Sequence, residues 1–191
     1  MHIHQLSVTY LGEQDRILVR ISTTESAQVR LWLTRRLTLG MRPLLNAVQT
    51  QQLVQAEPAV TSQTDSRLQS DADMKQMLAD FRKQELLQNA DFDTPFADQG
   101  AALPLGEEPL LITEASVSPR GTAVHLELAE KLPGVEKPRS LKLELEPKLM
   151  LGLLVLLDKA LAHSDWAQPA METVAGSLAD LVEVEKPRYL N

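Results

Sequence analysis

Arg30, Trp32 and Thr34 alternate with Val29, Leu31 and Leu33, and in an extended strand such alternation sends the two sets to opposite faces. If the aliphatic set faces a core, the polar set faces outward. Arg16, Leu18 and Arg20, and then Gln5, Ser7 and Thr9, carry the same pattern and would join it across a sheet. A tryptophan framed by arginines can stack bases and neutralise phosphates of a single-stranded nucleic acid. The competing chemistry is protein contact, with Trp32 and Leu18 covered and the arginines meeting carboxylates. Glu114, Glu127, Glu144 and Glu146, beside His125 and Lys142, supply those carboxylates on a second patterned region. The candidate interface residues are therefore Arg16, Arg20, Arg30, Trp32 and Arg36, for a protein partner first and a nucleic acid second.

Charge weighs on that order. The chain carries −7 overall, yet residues 1–50 hold six arginines against three acidic residues, and residues 51–106 and 107–191 are each acidic by five. An acidic protein opposes a polyanion, whereas one basic and one acidic region attract each other. The expected partner is a second copy or another protein, and the expected state a homo-oligomer.

Other chemistry finds little material. His2 and His4 share one side of a strand but lack a third metal ligand. Asp71/Asp73 and Asp91/Asp93 lack the glycine and closing glutamate of a calcium loop. No glycine-rich phosphate cradle, His-Glu-x-x-His or Gly-x-Ser-x-Gly occurs. The expectation is a non-enzymatic protein with no cofactor and no metal. No cysteine is present, which suits a reducing cytoplasm. The apolar run over residues 149–157 is far short of the roughly 20 residues that span a bilayer, so a cytoplasmic protein away from membranes is expected.

The elements that must position these residues occur twice. Residues 29–45 align ungapped with 141–157 at an offset of 112, pairing Leu31/Leu143, Leu33/Leu145, Leu37/Leu149, Leu39/Leu151, Gly40/Gly152, Leu44/Leu156 and Leu45/Leu157. Upstream, residues 3–12 lie over 112–121 through Ser7/Ser116 and Val8/Val117. Each copy reads as three alternating strands followed by a switch to helical period. Pro147 suits a first helical turn, while Pro43 predicts that the first helix starts late or kinks near Leu39. The fold class is α+β: an internal duplication of a β-β-β-α unit, with antiparallel sheets packed against helices and an amphipathic helix between the copies. One pseudo-symmetric domain spans 1–191. It has repeat one over about 3–50, a helical and irregular insert over 51–110, repeat two over 112–163, and a helix and tail over 164–191. Met74, Met77, Leu78 and Phe81 mark the apolar side of the intervening helix, residues 71–89, and residues 91–109 read as irregular.

Two strand runs, each closed by a helix, with an outward basic-aromatic sheet, resemble the architecture of the Whirly family of single-stranded-DNA-binding transcription regulators. The likeness covers roughly residues 3–50 and 112–163 and is one of architecture. It implies a compact body of antiparallel sheets with helices at its core and nucleic acid lying along the sheets. Each copy here has three strands where that family has four, the second copy is acidic, and no family motif carries a site residue over.

Overall fold

The computed structural model describes residues 2–55, 68–88, 90–91, 94–97, 102–135 and 137–167. Strands β1 (Ile3–Leu11), β2 (Arg16–Thr23) and β3 (Gln28–Thr34) form an antiparallel meander. Its first turn is a 3-10 turn closed by Asp15 in the left-handed region, φ 47° and ψ 48°. Helix α1 (Arg35–Gln55) follows directly, and α2 (Leu68–Gln88) comes next. The two-residue β4 (Leu110–Leu111) then pairs in parallel with β3. A second antiparallel meander consists of β5 (Glu114–Arg120), β6 (Ala123–Glu130) and β7 (Arg139–Leu145), and α3 (Pro147–Ala162) closes it. Gly121 makes the β5–β6 turn at φ 58°, a conformation that disfavours any residue with a Cβ.

The two meanders share strand order and register. Val8, Val19 and Leu31 stand in one row of the first sheet, and Val117, Leu126 and Leu143 in one row of the second. The next rows repeat it, Ile17 beside Leu33 and Val124 beside Leu145. Helices α1 and α3 begin at Arg35 and Pro147, the same offset of 112 at which the sequences align.

Alternation decides the core. Ile17, Val19, Ile21, Val29, Leu31 and Leu33 from one sheet, and Val124, Leu126, Leu128, Leu143 and Leu145 from the other, are buried in one cluster with residues of α1 and α3. Each helix crosses to the other unit: α1 packs against β5 and α3 against β1. Polar bonds fix both crossings. Gln52 at the end of α1 donates through Nε2 to the carbonyls of Thr122 (2.8 Å) and Leu145 (2.9 Å). Beyond α3, Trp166 donates through Nε1 to Asp15 at 2.5 Å. Each helix end is thus tied to the first hairpin turn of the opposite unit.

Two expectations need correction. Helix α1 does not start late: it begins at Arg35 and runs through Pro43. The proline removes one main-chain bond, to the Leu39 carbonyl, while Met41 and Leu45 on the same helix are buried at 5% and 0% exposure and hold the turn in place. Helix α2 forms, but Met77 and Phe81 of its expected apolar side do not pack. Ala79 is buried, whereas Met77 and Phe81 are 72% and 65% exposed, because the facing surface is polar. Arg42, Asn46, Gln49 and Thr50 of α1 and Asp158 of α3 border a cleft of about 210 Å³ beneath it. Helix α3 buries Leu153 and Leu157, leaves Leu156 half-buried and exposes Asp158 and Lys159 to solvent. The helix expected over residues 164–191 lies almost wholly outside the described residues, whose last part is a 3-10 turn over Asp165–Ala167.

Leu157→Ala should therefore cost about 2–5 kcal/mol in denaturant unfolding, as large-to-small core changes do. Phe81→Ala should cost no more than a few tenths to about 1 kcal/mol, since its ring already meets water.

Candidate interaction face

The first sheet places Arg16, Arg20, Arg30 and Trp32 on its outer face. Arg20 stands directly opposite Arg30, Leu18 opposite Trp32, and Arg16 opposite Thr34. Like charges opposed across a ladder repel, so both inner guanidiniums need acceptors. Arg20 donates to the Ser7 hydroxyl at 3.2 Å and lies over the Phe96 ring, 4.7 Å from its centroid. Arg30 donates to the main-chain carbonyl of Glu107. Arg36 is not on this face; it is exposed in the first turn of α1.

Apart from Ser7 on β1, these partners come from residues 94–97 and 102–112, which lie beside the first sheet. Ala97 donates to Gln5 at 3.0 Å, and Ala102 exchanges main-chain bonds with Gln28 (2.8 Å) and Ser26 (3.0 Å). Leu111 then runs beside Trp32, whose carbonyl accepts from Ile112 at 3.0 Å. Arg16, Arg20, Arg30 and Trp32 are consequently all half-buried. Residues 94–97 and 102–112 form a strap at the basic face, and they contain no lysine or arginine but include Glu107 and Glu108.

The outer face of the second sheet has no such cover among the described residues. Its carboxylates lie against side chains of the same unit: Glu127 pairs with Lys142 (3.4 Å) and Glu114 with Lys131 (3.2 Å), and Glu144 lies 4.0 Å from the His125 ring. Among the described residues, then, Arg20 meets Ser7 and Phe96 and Arg30 meets the Glu107 carbonyl, while the glutamates of the second sheet meet side chains of their own unit. His2 and His4 are exposed, and no group of three metal-ligating side chains assembles among the described residues.

Two polar centres escaped the sequence reading. Glu130 is buried at 6% exposure; it accepts from Leu111 N (2.8 Å) and from Arg139, which also reaches the Leu105 carbonyl at 3.0 Å. This pair joins the strap to the second sheet. The other centre is Asp15, which accepts from the Tyr10 hydroxyl (3.0 Å) and from Trp166, the two rings meeting edge to face at 5.4 Å. Glu130 follows the buried alternation of β6, so only its charge disguised it. Trp166 has no periodic neighbour to announce it.

The hydrogen bond to Asp15, then lost hydration and the negative charges of Asp15 and Asp165, hold the Tyr10 phenol above its ordinary range. A raised folded pKa favours the protonated phenol, so this contribution is intact below the unfolded pKa near 10 and fades as pH climbs through the folded one. Asp15→Asn should shift the Tyr10 titration back downward, read as tyrosinate absorbance against pH. An unchanged titration would show that the bond does not govern it.

Comparison with protein-family models, with curated proteins and with solved structures finds no match to this chain.

Proposed function

We propose that this chain is a non-enzymatic, cytoplasmic interaction protein that self-associates. The observation that carries the reading is the occupancy of the basic-aromatic face. Arg20 and Arg30, which a single strand would need, already hold Ser7, Phe96 and the Glu107 carbonyl of their own chain. Release of that strap would have to precede nucleic acid binding. Meanwhile Leu44, Met77 and Phe81 leave large apolar side chains in water, which is what protein contact relieves. In this reading the two units are copies of one ancestral β-β-β-α element, consistent with their common register.

A second reading keeps one specific support. Arg16, Arg20, Arg30 and Trp32 do share a face, and Arg36 is exposed, so a Whirly-like single-stranded nucleic acid binder remains the alternative. Light scattering joined to an oligonucleotide titration separates the two. The first predicts a mass above that of one chain and no binding of single strands. Salt-sensitive binding of an oligonucleotide by a monomer, lost in Arg20→Ala and Arg30→Ala, would replace it with the second.

A further inference from the structure

A heptapeptide occurs twice outside the β-β-β-α units' matched positions. Val135-Glu136-Lys137-Pro138-Arg139-Ser140-Leu141 leads into β7, and Val184-Glu185-Lys186-Pro187-Arg188-Tyr189-Leu190 repeats it with one difference in seven. The first copy shows what the motif meets. Its arginine, Arg139, is clamped by Glu130 of β6 through Nε at 2.7 Å and Nη2 at 2.5 Å, while Val135, Lys137 and Pro138 are exposed. A basic, proline-stiffened segment is thus already matched to a glutamate of the second sheet.

We propose that residues 184–190 dock on the outer face of the second sheet of another copy of the chain, with Lys186 and Arg188 meeting Glu127 and Glu144. This rests on the self-association read above and names its partner surface. Three observations converge on it. Among the described residues nothing overlies the face that carries Glu127 and Glu144, whose side chains are 45% and 67% exposed. Their present partners are solvent-exposed pairs, worth about 0–1 kcal/mol each, so exchange for an arginine costs little. The first sheet supplies the precedent, since its basic outer face is overlaid by an extended stretch without cations; the acidic outer face calls for the opposite, and residues 184–190 supply it.

The choice of a second copy follows from the self-association read above. Reciprocal exchange between two copies closes a two-fold dimer, in which each contributes one segment and one face.

The test uses the full chain, a variant ending at residue 183, and a synthetic peptide of residues 184–191. The full chain should be a dimer by light scattering and the shortened one a monomer. The shortened chain should bind the peptide, with affinity falling by more than about tenfold in Glu127→Lys/Glu144→Lys and falling as salt rises. Both glutamates are surface residues, and unchanged circular dichroism would verify the fold of that variant. A shortened chain that still dimerises overturns this docking while leaving self-association intact. A monomeric full chain overturns self-association, and with it the second-copy assignment, even if the peptide binds. Failure of the peptide to bind the shortened chain overturns the motif's role outright.

Discussion

A three-stranded meander with one apolar face cannot cover that face by itself, and everything else in this molecule follows from that shortage. Sheets of this size need a second layer to be stable. Here the second layer for each sheet is the other sheet together with the other unit's helix. Helix α1 lies on β5 and α3 on β1, so neither unit has a complete core alone. Burial is consequently shared, with Leu31 and Leu143 reaching the same cluster from opposite sides. Removing one unit would strip both. The bonds from Gln52 to the β5–β6 turn and from Trp166 to the β1–β2 turn are small in energy beside that burial. Their work is directional, because apolar contact alone does not fix how far each helix slides along its strand.

Outer faces carry no such constraint, and there the units diverge. The first sheet opposes Arg20 to Arg30, an arrangement that repels unless acceptors are brought in. A phenyl ring and a peptide carbonyl serve because neither needs to be desolvated as a charge would. The cost of holding residues 94–112 in place is met by main-chain bonds to Gln28 and Ser26 and by the Glu130–Arg139 pair. That pair links strap, β6 and β7, which makes the strap part of both units and not an appendage of the first.

Sequence pattern revealed the strands, their order and the two inner faces because period-two alternation is imposed by burial, and burial was what mattered there. The switch to helix at Pro147 was equally legible, whereas Pro43 argued for a later start than the observed one at Arg35. Pattern failed where packing met a polar neighbour. Met77 and Phe81 have the spacing of a buried stripe, but the surface offered by α1 and α3 presents Arg42, Asn46 and Asp158. The helix therefore turns Ala79 inward. Of the candidate residues, Arg16, Arg20, Arg30 and Trp32 were correctly placed on one face, since strand parity fixes that much. Their cover was invisible: residues 94–112 have no periodicity, and nothing local announces that Phe96 will lie on Arg20 some seventy-six positions earlier.

The contrast between the two outer faces bears on how such a chain acquires an interaction. The two units share strand order and register, so a position on one outer face has a geometric equivalent on the other. Adding charge of opposite sign to the two faces removes that equivalence. Arginines on the first sheet require an anionic or carbonyl-rich cover, which the intervening segment provides within the chain. On the second sheet the glutamates find side-chain partners within their own unit, at Lys142, Lys131 and His125, so among the described residues that face is balanced locally and not by a returning segment.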